Sequence, residues 1–157
     1  MNNTNKQEFP VEPATLDDVG DLQMLLAHAV PACAPETVWE LPFQWKTFRV
    51  IRNDEGKVIA AGSIRDLEGE RAEIRGLAVH PEFRGRGLAD KVVERLLDES
   101  RARNRNMVCV TRKPSFFERF GFQKTFPTWL SRNRLPVRTK VDPDPRVFMV
   151  TCEPIPA

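Results

Sequence analysis

The sequence contains no tyrosine, so no phenolic hydroxyl is available to hold or donate a proton. It has two histidines, His28 and His80, and neither stands at metal-ligand spacing to a neighbour; no metal is expected. Its three cysteines, Cys33, Cys109 and Cys152, are an odd number without a short-spaced pair, which excludes a disulfide framework and a zinc knuckle. Cys109 sits in the apolar run Met107-Val108-Cys109-Val110, the setting of a buried, inert thiol. No run of apolar residues approaches the ~18 needed to span a membrane. The opening stretch MNNTNKQEFP lacks the apolar core of a secretory leader. Together these absences predict a cytoplasmic chain. No excess of one charge exists either: 24 basic against 22 acidic residues argue against a dedicated nucleic-acid binder.

What is present suits one folded unit. The chain has 157 residues, 41% of them hydrophobic and 29% charged, enough for a core and a solvated surface. Residues 1–8 are expected to be a flexible start, and residues 9–157 a single domain. Phe9–Ala14 reads as an edge strand, since Pro10 and Pro13 are tolerated there. Thr15 followed by Asp17 and Asp18 starts a helix that runs to Val30 before Pro31. A short helix falls within Glu36–Gln44. Lys46–Asn53, Lys57–Arg65 and Glu70–Val79 read as strands joined by turns at Asn53–Gly56 and Asp66–Gly69, an antiparallel meander.

From Gly85 or Arg86 to Arg103, Leu88, Val92 and Leu96 recur at four-residue spacing, as do Ala89, Val93 and Leu97. Such a stripe predicts an amphipathic helix against a sheet. Met107–Thr111 is a strand, and strand–helix–strand implies a right-handed parallel crossover. Pro114 opens a helix over Ser115–Phe120, closed by Gly121. Phe122–Phe126 and Arg146–Glu153 are the last strands, and Thr125–Asp144 is read as an irregular arm. The fold class is α/β: a mixed central sheet, antiparallel meander plus parallel crossover, with helices on both faces.

The segment with chemical content is Ala72-Glu73-Ile74-Arg75-Gly76-Leu77-Ala78-Val79-His80-Pro81-Glu82-Phe83-Arg84-Gly85-Arg86-Gly87-Leu88-Ala89. A strand runs into a glycine-bearing turn that opens a helix. The first turn of a helix offers unpaired amides and a positive dipole end. Gly85 and Gly87, without Cβ, let a ligand approach the backbone. Such a turn suits a phosphate; the blander alternative is that the glycines only permit tight packing. The Gly-Lys-Ser/Thr ending of a Walker loop is absent. The turn also follows an antiparallel meander, not the first strand of a dinucleotide-binding unit.

The run Arg84-Gly85-Arg86-Gly87-Leu88-Ala89, its lead-in Leu77–Phe83, and the later Ser115-Phe116-Phe117-Glu118-Arg119-Phe120-Gly121-Phe122 resemble two signature segments of the GNAT acetyltransferase family. The close resemblance covers Ala72–Phe122. It implies acetyl-CoA as cosubstrate. Leu77, Ala78 and Val79 would face its pantetheine arm, and backbone amides from Arg84, Gly85, Arg86, Gly87, Leu88 and Ala89 would cradle its pyrophosphate. Arg84 and Arg86 add charge or are merely solvated. Gly76 marks a bulge. Glu73 is the candidate base for the acceptor amine, a carboxylate in an apolar strand; the alternative is an ion pair with a neighbour such as Arg75. The Leu77 N–H would stabilise the oxyanion.

One departure stands out. The family often protonates the leaving thiolate with a tyrosine, and the matching position here is Phe117. Ser115, Thr111 or a water takes that role, or the thiolate leaves unaided.

Trp39, Phe43, Trp45 and Trp129 shape an acceptor pocket or pack as core and lid. Between Gln123 and Val141 lie Lys124, Arg132, Arg134, Arg138 and Lys140 and no acid, a solvated loop or a surface for an anionic acceptor. The expected acceptor is the amine of a small, amino-acid-like molecule. A protein- or RNA-linked amine is the second reading, and a non-catalytic acyl-CoA sensor the third. The sequence leaves open whether the chain pairs with a second copy of itself.

Overall fold

The structure, a computed structural model, describes residues 9–29, 35–124 and 147–151. In chain order the elements are β1 (Glu12–Pro13), α1 (Val19–Ala29), α2 (Pro35–Gln44), β2 (Phe48–Arg52), β3 (Val58–Leu67), β4 (Arg71–Val79), α3 (Leu88–Ala102), β5 (Asn106–Thr111), α4 (Pro114–Glu118), β6 (Phe122–Lys124) and β7 (Val147–Thr151). Backbone hydrogen bonds link the strands in the order β1-β2-β3-β4-β5-β7-β6. This is the expected mixed α/β sheet. β1 and β2, and β2 and β3, pair antiparallel, while β4 and β5 pair parallel across the α3 crossover.

The described residues fall into two compact units. The first comprises those of Met1–Ile64 with Arg75–Leu96, the second those of Arg65–Ile74 with Leu97–Ala157. In the first, Leu22, Leu25 and Leu26 of α1 and Leu41 of α2 pack with Phe48 and Val50 of β2, Val58 and Ala61 of β3 and Ala78 of β4. The other face of β3 carries Gly62, where a Cβ would come within 2.8 Å of Val92 and 3.2 Å of Leu96, both on α3. Only a residue without a side chain admits that helix so close. The α3 stripe is as expected: Leu88, Val92, Val93, Leu96 and Leu97 are buried, Glu94, Arg95 and Asp98 exposed.

The start of α1 is tied to the sheet by two carboxylates: Asp21 accepts from the Val58 N–H of β3 at 3.2 Å, and Asp18 makes the larger set of contacts. Asp18 closes a short 3₁₀ turn, Leu16–Asp18, by accepting from the Thr15 N–H at 2.7 Å and the Thr15 hydroxyl at 3.1 Å. It also accepts from Arg52 of β2, from Nε at 3.0 Å and from a terminal nitrogen at 2.5 Å. Arg52 reaches on to Glu12 of β1 at 2.6 Å. Burial alone would raise the Asp18 pKa; the hydrogen bonds and charge of Arg52, with those of Thr15, outweigh it and hold the carboxyl below its ordinary 3.8. A lowered carboxyl pKa stabilises the fold above its unfolded value, and that contribution disappears as pH falls through the folded one. Asp18→Ala is therefore expected to cost about 2–3 kcal/mol near neutrality, the scale of hydrogen bonds to a charged group. The deficit should begin to shrink in urea titrations below pH ~4, the range of the unfolded carboxyl, and vanish as pH falls through the lower folded value.

In the second unit the parallel ladder consists of Arg71, Ala72 and Glu73 of β4 against Asn106, Met107 and Val108 of β5. β5 pairs antiparallel with β7, Val108 to Val150 and Thr111 to Val147, and β7 pairs with β6. Phe117 of α4 is buried and meets Phe122 of β6 edge to face, centroids 5.4 Å apart.

Several boundaries differ from the sequence reading. The edge strand is only Glu12–Pro13, not Phe9–Ala14, and β2 starts at Phe48 because Trp45–Thr47 form a 3₁₀ turn. β3 continues through Asp66 and Leu67, so the turn is Glu68–Glu70. α4 ends at Glu118, two residues early, and the chain turns at Phe120 before Gly121, whose φ is +84°. α3 begins at Leu88 rather than Gly85 or Arg86, because Gly85 and Gly87 take φ of +76° and +73°. Those values are left-handed and not helical. Residues 1–8, Cys33, Cys152, Trp129 and the arm carrying Arg132, Arg134 and Arg138 lie outside the described residues. Among the described residues no helix is long and apolar enough to cross a membrane.

Candidate functional site

The segment following β4 is built by local hydrogen bonds. The His80 N–H donates to the Ile59 carbonyl at 2.7 Å, and its Nδ1 accepts from the Glu82 N–H at 3.2 Å. That cap starts a 3₁₀ turn, Pro81–Phe83, with Pro81 at its first position. The His80 and Phe83 rings meet edge to face at 5.8 Å. Arg84 Nε donates to the Val79 carbonyl at 3.4 Å, and the Arg86 guanidinium lies 4.9 Å from the centre of the Phe83 ring. Both arginines are exposed, and both also brace the turn.

Gly87 serves as the cap of α3: its carbonyl accepts from the Lys91 N–H at 3.2 Å. The amides of Leu88 and Ala89 therefore stand in the first turn, where no carbonyl one turn earlier exists for them. A Cβ built at Gly85 or Gly87 meets nothing within 4 Å. The space beside these two glycines is open, and the dipole end of α3 that follows them is positive. Gly85 and Gly87 thus leave the backbone between Arg84 and Ala89 uncovered at the start of α3.

Glu73 is half-buried on β4, opposite Val108 in the parallel ladder. Cys109 is buried, and its thiol is pushed up, first by burial and then by the negative charge of Glu73; it is no nucleophile. Arg75 forms an ion pair with Glu40 of α2 at 3.1 Å, a partner the sequence reading did not offer it. Past the three-pair ladder, β4 continues through Leu77, Ala78 and Val79. Gly76, within this stretch, has φ +59°, the left-handed kink expected of a bulge. Thr111 Oγ1 accepts from the Lys113 N–H at 2.9 Å, and Ser115 is exposed. Among the described residues no group of three or more histidine, cysteine or acidic side chains could hold a metal ion.

Residues 21–122, well over half of the chain, match the model of the acetyltransferase (GNAT) family. The chain belongs to the GNAT family. An amino-acid acetyltransferase of Pseudomonas putida is 32% identical over 128 residues, 75% of this chain and 28% of that protein. The chain thus spans little more than a quarter of that relative's length. Among solved structures, a Mycobacterium tuberculosis protein in complex with CoA superposes with a TM-score of 0.78 at 22% identity, covering 90% of this chain and 98% of that one. An N-acetylglutamate synthase from Neisseria gonorrhoeae, complexed with coenzyme A and N-acetyl-glutamate, gives 0.72 at 16% identity, covering 93% and 35%. At such identities these two speak for the shared fold.

The sequence reading missed Ser63, whose hydroxyl donates to the Arg75 carbonyl at 3.1 Å, and the Arg75–Glu40 pair. A lone serine in the apolar stretch Val58–Ile64 was the available signal for the first. Nothing signalled the second, since its partners lie 35 residues apart.

Proposed function

We propose that this GNAT chain transfers the acetyl group of acetyl-CoA directly, in a ternary complex, to the primary amine of a small amino-acid-like molecule. The observation that carries the reading is the turn Arg84–Ala89, with left-handed Gly85 and Gly87 leading into α3. The pyrophosphate sits against its amides, and the pantetheine arm runs strand-like along Leu77–Val79. CoA in solved relatives of the fold supports the cosubstrate, and the amino-acid acetyltransferase relatives support the acceptor class. Glu73 takes the proton of the acceptor ammonium, directly or through water, and the Leu77 N–H meets the oxyanion. Phe117 packs on Phe122 and has no proton to give, so the thiolate leaves without an aromatic acid.

The test is a screen of amines with acetyl-CoA, following free thiol release. Turnover restricted to amino acids supports the reading. Turnover restricted to proteins or aminoacyl-RNA replaces the acceptor class. Tight CoA binding with no turnover on any amine makes the chain an acyl-CoA sensor.

The acceptor is expected to carry a negative group recognised by the arm Gln123–Val141, whose Arg132, Arg134 and Arg138 suit a carboxylate through their planar fork. Arg132→Ala, Arg134→Ala or Arg138→Ala should raise the acceptor KM about tenfold, the scale of one charged hydrogen bond, and leave the KM for acetyl-CoA unchanged. Wild-type constants in all three, or a preference for neutral amines, would assign the arm to the solvated surface.

A further inference from the structure

Side-chain faces on β3 and β4 expose a slip in register. On β3, Ala61 joins the cluster of Leu22, Leu26 and Leu41, and Gly62, the next residue, faces Val92 and Leu96 of α3. On β4, Ala78 belongs to the α1–α2 cluster, while Leu77 Cδ1 would lie 3.4 Å from a Cβ at position 62. Leu77 therefore lies on the α3 face. Strict alternation would put Arg75, two residues earlier, on that face as well. Its guanidinium goes instead to Glu40 of α2. The alternation has shifted by one between Arg75 and Leu77, at left-handed Gly76. The extra residue of a bulge does this.

Ser63 stands beside that bulge. It pairs across the sheet with Phe48, a member of the α1–α2 cluster, so it shares the face to which Arg75 turns. Ser63 is 4% exposed, and its hydroxyl bonds to the carbonyl of Arg75, the residue immediately before Gly76. A buried hydroxyl amid apolar neighbours is retained at a cost unless it is bonded; here its bond falls on the backbone of the kink.

We propose that Ser63 is a positioning residue for acetyl transfer: its hydroxyl holds the Arg75 carbonyl and thereby fixes the bulge that aims the Leu77 N–H at the thioester carbonyl. The proposal rests on the reading of Leu77 as the oxyanion donor. An apolar residue at 63 removes the Ser63 hydroxyl bond to the Arg75 carbonyl beside the extra residue, and a one-residue slip turns following side chains to the opposite face. The pyrophosphate turn is built separately, from the contacts of His80, Phe83 and Gly87, and stays intact.

The test uses the full chain with acetyl-CoA labelled with carbon-13 at the thioester carbonyl. The infrared stretch of the bound carbonyl reports its polarisation, and calorimetry reports CoA affinity. The wild type should show a downshift on binding. Ser63→Ala should lose it with an unchanged CoA dissociation constant, and Ser63→Thr, which keeps the hydroxyl, should restore it. Ser63→Cys, close in shape but a weak donor, should give a smaller downshift and serves if the alanine variant does not fold. A full downshift in Ser63→Ala or Ser63→Cys overturns the proposal, as does equal loss of downshift and CoA affinity. No downshift in the wild type itself removes the Leu77 reading on which it rests.

Discussion

Gly87→Glu should abolish acetyl-CoA binding in a chain that still folds. The glutamate carboxylate would enter the open space above the first turn of α3, where no atom lies within 4 Å of the built Cβ. That is the space assigned to the pyrophosphate, and juxtaposed like charges cost several kcal/mol. The dissociation constant should rise on the order of a hundredfold or more, since each 1.4 kcal/mol is about a factor of ten. Part of any loss comes from the backbone, because φ is +73° at this position and a residue with a Cβ is strained there by about 1–2 kcal/mol. Gly87→Ala separates the two effects: it carries the strain without the charge and should weaken binding far less. Calorimetric titration with CoA measures both variants, with circular dichroism to verify folding. Wild-type affinity in a folded Gly87→Glu chain would remove the turn from the cofactor site.

Glu73→Gln should lower turnover on the order of a hundredfold, the usual scale of a lost general base, and leave CoA affinity unchanged. The deficit should narrow as pH rises, because at high pH the acceptor amine arrives already deprotonated. The isosteric amide keeps the volume of a half-buried position beside Val108 and Cys109, so a stability loss should not obscure the result. A Glu73→Gln enzyme with wild-type turnover at neutral pH would end the assignment of the base.

Much of this was legible from local pattern. The Leu88–Val92–Leu96 stripe, the Asn53–Gly56 hairpin and the Pro114 start each depend on residues within a few positions of one another, and each element formed where expected. The parallel crossover was also legible, since a helix between two apolar strands leaves one sensible hand. What escaped the reading were ends and partners. Gly85 and Gly87 look like the beginning of a helix in composition, yet their left-handed dihedrals hold the helix back to Leu88. Arg75 offered itself as a counter-ion of Glu73, two residues away on the same strand; its ion pair with Glu40 depends on the packing of α2, which no local pattern announces. Ser63 carried only a faint signal, a lone hydroxyl in an apolar strand. Its meaning depends on a bulge in the neighbouring strand, and a bulge is a property of two strands together.

The close approach of α3 to β3 at Gly62 has an evolutionary corollary. A methyl group at 62 would meet Val92 at 2.8 Å, so a larger residue there is tolerated only where position 92 has already become smaller. The two sites, 30 residues apart in sequence, form one shared volume, and each restricts the substitutions open to the other. Lineages descending from this chain should drift through that volume in a fixed order, trimming the helix before filling the strand.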